Sequence, residues 1–148
     1  MRHVVRLNDT PLYDAPVGVP PRSVGALIDT LKADELTMGL FVLPPGQKSV
    51  IDYHDQDEAY FLTRGAGSEL LWLHGENKDP EKFEIEAGSA VLVPKYVRHQ
   101  MVNTGNEPIW LVWFFPRHPT GGDDATRHFS STTWIKKKMP IGEWYPRH

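Results

Sequence analysis

The 148-residue chain has no cysteine, which excludes disulfides and thiolate chemistry while leaving its compartment open. No segment approaches the ~20 consecutive apolar residues that a membrane-spanning helix needs. The stretch MRHVVRLNDTPLYD at its start has no apolar run of signal-peptide length. Charge of one sign is also scarce. A net charge of −3 gives no argument for nucleic acid or an anionic membrane as partner. A Gly-rich phosphate loop, a dinucleotide fingerprint, a supported Ser-His-Asp set and internal repeats are all missing. These absences leave a soluble cytoplasmic protein as the default expectation.

Aromatic residues and turn formers are plentiful: five Trp, five Tyr and six Phe stand beside thirteen Pro and twelve Gly. The length suits one domain with a real core. Short apolar runs bounded by turn residues read as strands: Leu36–Leu43, Asp52–Thr63, Glu69–His74, Lys82–Ile85, Ala90–Val93, His99–Val102 and Ile109–Phe115. With no clear helix among them, the expected fold class is all-β, a sandwich or closed barrel. Upstream, His3–Leu7 reads as a short strand. Val24–Leu31 reads as a strand or a helical turn, which periodicity cannot separate at that length. Residues 116–148 are polar but keep Trp134, Ile135, Met139, Ile141, Trp144 and Tyr145, which suggests an ordered arm docked on the barrel or on a partner subunit. The expected organisation is an N-terminal extension over 1–35, a barrel over 36–115 and a C-terminal arm over 116–148.

Two stretches concentrate the chemistry. Gly46–Gly65, GQKSVIDYHDQDEAYFLTRG, carries Asp52, His54 and Glu58, and Gly88–Asn103, GSAVLVPKYVRHQMVN, carries His99. Alternate residues of an unbroken strand share a face, which would put Asp52, His54, Glu58, Tyr60 and Leu62 on one side. Imidazole and carboxylate are the usual ligands of zinc, iron and manganese. One strand cannot close a shell alone, and His99 is the best candidate to complete it. His54, Glu58 and His99 make a two-histidine, one-carboxylate set suited to non-haem Fe(II), and Asp52 adds a harder donor that also suits Mn(II) or Zn(II). Asp52 could ligate, act as a base beside the metal, or orient a ligand. Tyr60 could donate a proton to substrate or pack in the core. Met101, Trp72, Trp113 and Phe115 are core or cavity-wall candidates, and Arg64 is expected at the surface. Asn103 is expected to hold a turn. His3, His74, His118, His128 and His148 have no partners at ligand spacing.

With those residues in view, the sequence resembles the cupin superfamily. The first cupin motif, G-x5-H-x-H-x3,4-E-x6-G, is matched in spacing by Gly46, Asp52, His54, Glu58 and Gly65, with Asp52 at the first histidine position. The second, G-x5-P-x-G-x2-H-x3-N, is matched by Gly88, Pro94, Tyr96, His99 and Asn103, with Tyr96 at the middle glycine. The resemblance implies a cupin-type double-stranded β-helix (jelly-roll) barrel with N- and C-terminal extensions. It implies one divalent metal ion per chain on Asp52, His54, Glu58 and His99, with Fe(II) favoured and Zn, Mn or Ni as alternatives. Cupins commonly dimerise, so a homodimer is expected. Cupins host many reactions. The leading expectation is a non-haem metal dioxygenase acting on a small organic, aromatic or polyketide-like substrate, with Asp52 and Tyr60 as catalytic residues. The alternatives are a redox-neutral isomerase, lyase or cyclase, and a non-catalytic ligand-binding cupin.

Overall fold

In a computed structural model, residues 3–6, 9–18, 20–28, 36–116 and 135–136 are described. They form ten strands and, among the described residues, no α-helix: β1 (Tyr13–Asp14), β2 (Ser23–Ile28), β3 (Thr37–Leu43), β4 (Glu58–Arg64), β5 (Ala66–Leu71), β6 (Glu81–Glu86), β7 (Ala90–Val93), β8 (His99–Val102), β9 (Ile109–Phe115) and β10 (Ile135–Lys136). One antiparallel sheet runs β10-β1-β2-β3-β9-β4-β7 and a second runs β6-β5-β8. The fold is the cupin-type β-sandwich that the motifs imply. Among the described residues no helix is long and apolar enough to cross a membrane.

Alternation sets which residues enter the sandwich. In β4, Glu58, Tyr60 and Leu62 are buried while Ala59, Phe61 and Thr63 are exposed. The inner core joins Leu43, Tyr60, Leu62, Leu71, Ile85 and Val93 to Met101, Ile109, Leu111, Trp113 and Phe115. The opposite face of β3 and β9 also carries apolar residues. There Leu12 packs with Leu40, Val42 and Trp110, so part of the N-terminal extension covers the outer face of the larger sheet. Trp113 lies against Gly39, its register partner, and donates its indole N–H to the Leu40 carbonyl at 3.2 Å.

Several expected boundaries move. His3–Arg6 is not a strand: Val4 is 65% exposed, and the Arg6 carbonyl accepts the Asp9 N–H at 3.0 Å in a turn, while Leu7 lies outside the described residues. Val24–Leu31 resolves as strand β2 through Ile28; its last three residues lie outside the described residues. The segment Asp52–Thr63 is not one strand. Asp52 forms an isolated bridge with His99, residues 53–57 are irregular, and β4 begins at Glu58. The polar Asp55-Gln56-Asp57 run explains the break, because the Asp57 carboxylate accepts the Lys95 backbone N–H at 2.9 Å instead of letting the chain continue a ladder. β5 starts at Ala66, not Glu69, and stops at Leu71, not His74. Gly65, at φ 88°, turns the chain from one sheet straight into the other without a loop. Most of the C-terminal arm lies outside the described residues; Ile135 and Lys136 pair with Asp14 and Tyr13.

Candidate metal centre

His54 and His99 reach one point from different segments. The two segments are laced together by the bridge Asp52 N–H to His99 carbonyl (2.9 Å), its reciprocal (3.0 Å), and the Tyr96 N–H to His54 carbonyl (2.8 Å). Each imidazole is oriented from its far side. His54 Nδ1 lies 2.8 Å from the Gln56 carbonyl and His99 Nδ1 lies 3.0 Å from the Val97 carbonyl. A carbonyl can only accept, so each Nδ1 carries the proton and each Nε2 faces inward. Both Nε2 atoms meet the same oxygen, Glu58 Oε1, at 3.3 Å and 3.4 Å. Asp52 joins them: one ligand atom each from Asp52, His54 and His99 lie within 4.8 Å of one another. Phe115 stands edge-on to the His54 ring at 4.9 Å and closes its apolar side.

These distances fit a metal. Donors each about 2.1 Å from a zinc-like ion stand roughly 3.0 Å apart at right angles and roughly 3.4 Å apart in a tetrahedron. The observed Glu58–imidazole separations of 3.3 Å and 3.4 Å match those edges. Imidazole and carboxylate are donors that a divalent cation accepts, and the group whose ligand atoms all lie within 4.8 Å is Asp52, His54 and His99, with Glu58 Oε1 against both imidazoles. The same groups perturb one another without a metal. Burial pulls both imidazoles down, but hydrogen bonding and attraction from Glu58 reverse this, leaving His54 raised and His99 raised to about 9. Burial pushes Glu58 up, and the two imidazoles pull it below the ordinary carboxylate value. Burial raises Asp52 to about 6, with His99 opposing.

Three of these residues open onto a cavity whose gross volume, open solvent included, is about 640 Å³. Asp52, Glu58, His99 and Tyr60 line it, as do Met101 and Trp113. Tyr60 is buried on the ligand side of β4, where alternation puts it. Other assignments separate cleanly. Asn103 is buried and holds the β8–β9 turn, donating to the Leu43 and Glu107 carbonyls and accepting from the Gly105 N–H. Arg64 pairs with Glu107 at the surface, and His74 pairs with Glu81. Tyr96 takes φ 63°, the left-handed region in which a glycine carries no Cβ penalty, and its ring packs 6.1 Å from Tyr53.

Two contributions were not singled out from the sequence. Arg22 and Val24 of the N-terminal segment line the cavity, although they precede both motifs. Glu69 lines it too and is fully buried. Its only signal in the sequence is an acid heading the apolar run ELLWLH.

Residues 39–115, more than half of the chain, match the family model described as Cupin domain, and the protein belongs to that family. Among curated proteins it is 33% identical over 95 residues to a glucose-6-phosphate isomerase of Thermococcus litoralis, covering 57% of this chain and 48% of that one. The chain spans about half the length of the curated relatives it matches first. Among solved structures, the polyketide cyclase RemF from Streptomyces resistomycificus aligns at a TM-score of 0.66 and 17% identity, over 89% of this chain and 94% of that one. The Bacillus subtilis oxalate decarboxylase, described for its Mn(II) centres, aligns at 0.60 and 16% identity, over 74% of this chain and 29% of that one. At these identities the likeness to solved structures is one of fold.

Proposed function

We propose that the protein is a metal-dependent enzyme that moves protons on a small carbonyl compound without net oxidation, in the isomerase, cyclase or lyase class. The observation that carries this reading is the convergence of two imidazole Nε2 atoms on one Glu58 oxygen, at metal-edge distances, with Glu58 and His99 lining a largely apolar cavity. His54, Glu58 and His99 hold the ion, and the approach of Asp52 to both imidazoles supports it as a fourth ligand. When bound, a divalent ion supplies Lewis-acid polarisation of a carbonyl oxygen. Tyr60, buried in the same cavity, serves as a proton donor to substrate. The names of the relatives, an isomerase, a cyclase and a decarboxylase, support the same class.

A second reading, a non-haem Fe(II) dioxygenase, is favoured by the two-histidine, one-carboxylate composition of His54, His99 and Glu58. Fe(II), Zn, Mn and Ni all remain compatible with the donors. The proposed assembly is a homodimer, supported by Phe61 and Leu92, which are 44% and 63% exposed on the neighbouring strands β4 and β7; analytical ultracentrifugation tests it.

The functional test is elemental analysis of tag-free protein beside a His54→Ala, His99→Ala double variant. It is followed by NMR of α-proton exchange into α-tetralone in heavy water, with an oxygen electrode in parallel. Near-stoichiometric metal lost in the double variant, with exchange and no oxygen uptake, is the expected result. Metal-dependent oxygen uptake would install the dioxygenase reading instead. No metal after reconstitution with Fe(II), Mn(II), Zn(II) or Ni(II) would sink both. Asp52→Asn separates its roles: loss of metal marks a ligand, and retained metal with lost exchange marks a base.

A further inference from the structure

Glu69 lies in the middle of β5, paired with Phe83 on one side and Met101 on the other. Its relative exposure is 0%, and neither carboxyl oxygen makes a hydrogen bond of good geometry, although the Tyr60 hydroxyl stands near enough to act on it. Among the described side chains these two oxygens are the buried polar atoms left in that condition. Burying a charged carboxylate without partners costs far more than burying the neutral acid, so such a group takes up a proton. In agreement, burial raises Glu69 to about 7, and the nearby Tyr60 hydroxyl opposes this only in part.

Protonation changes what the side chain can do. An ionised carboxylate only accepts hydrogen bonds, whereas a neutral one donates through its O–H. Glu69 and Tyr60 line the same cavity. Two O–H donors in a mostly apolar space form the kind of preorganised site that stabilises an oxyanion, and a carboxylic acid kept neutral by its surroundings is an effective donor of this type. The walls around them include Val24, Phe41, Leu111 and Trp113, surfaces suited to a flat ring, beside the polar Arg22 and Ser49.

We propose that Glu69 is a substrate-contacting hydrogen-bond donor which, beside Tyr60, receives the enolate or phenolate oxygen of an aromatic or polycyclic carbonyl compound. The inference deepens the proton-transfer reading and rests on it. No bond is made or broken at Glu69; the donor stabilises negative charge that develops on the ligand oxygen.

The test uses the full chain loaded with Zn(II), and 4-nitrophenol as the phenolate probe, titrated optically into wild type, Glu69→Gln and Glu69→Leu. Gln keeps a neutral donor of similar shape, so its affinity should stay within roughly threefold of wild type, whereas Leu should lose roughly 10- to 100-fold. Infrared difference spectra at mildly acid pH should show a carboxylic-acid carbonyl band in wild type that shifts on probe binding and is missing in Glu69→Gln. This second readout does not depend on the Leu variant folding. Equal affinity across the three proteins, absence of the acid band, or failure of wild type to bind the probe each overturn the proposal. Zinc content on the same samples keeps the two ideas apart. Full zinc with probe binding indifferent to Glu69 removes this inference alone, while a wild type that holds no zinc or other divalent metal removes the metalloenzyme reading.

Discussion

Metal uptake should expel protons, and affinity should climb steeply with pH. In the metal-free protein the Glu58 oxygen, 3.3 Å and 3.4 Å from the two imidazoles, favours imidazolium strongly enough to overcome burial, and His99 is held at about 9. A metal requires Nε2 without its proton. At pH 7, two units below that value, about one His99 in a hundred is deprotonated, so apparent affinity sits about 100-fold, or about 3 kcal/mol, under its limit. Raising the pH from 7 to 9 should recover roughly 50-fold through this proton alone. His54 is raised as well and steepens the slope.

The assay is a chelator-competition titration of Zn(II) at constant ionic strength, with proton release followed by indicator dye in weak buffer; roughly one to two protons should appear per metal at neutral pH. The metal-free protein should show the opposite trend in stability. A histidine whose folded value is raised contributes stability that is complete below its unfolded value of 6.5 and is lost as pH rises through about 9. The melting temperature of the apoprotein should therefore fall across that window, by a free energy on the order of 3 kcal/mol. Asp52 and Glu69, raised to about 6 and about 7, favour their protonated forms in the folded chain; they cost stability as pH rises from about 4 to about 7, mostly below this window. A pH-independent zinc affinity with no proton release would refute the reasoning, because it would mean both imidazoles are already neutral in the free protein.

Two further expectations concern the frame that holds the site. Gly39→Ala should destabilise the protein by about 3 kcal/mol or more in chemical denaturation, since a Cβ there would overlap the Trp113 indole and stand 2.5 Å from the Gly25 carbonyl oxygen. Unchanged stability would show that the strand can shift at no cost. Asn103→Ala removes two donors and one acceptor from a buried turn and should cost about 2–4 kcal/mol, with faster amide exchange at Gly105 as its local signature.

Much of this centre was legible because it depends on local spacing. Alternation placed Glu58, Tyr60 and Leu62 inward, and β3, β7, β8 and β9 stand where apolar runs between turn residues put them. The structure groups Asp52, His54 and His99 and sets Glu58 against both imidazoles. What spacing could not show was how the chain behaves between ordered points. The irregular stretch after Asp52 depends on a contact between Asp57 and Lys95, 38 residues apart. The covering of the outer face by Leu12 depends on where a proline-interrupted segment lands. Glu69 escaped notice because an acid at the edge of an apolar run gives the same sequence signal whether it faces water or a cavity. Tyr96 shows the converse: the sequence marked a departure from the motif's glycine, and the backbone keeps the left-handed turn despite it.

The lacing between the two ligand-bearing segments also has a kinetic consequence. The amides of Asp52 and His99 are protected by one reciprocal bridge, and the Tyr96 amide by the His54 carbonyl. Opening either segment breaks the same few bonds, so these three amides should exchange with solvent as a single local unfolding unit. An ion gripping both segments would slow that opening, and the exit of the ion and the exchange of those protons would share one rate-limiting event.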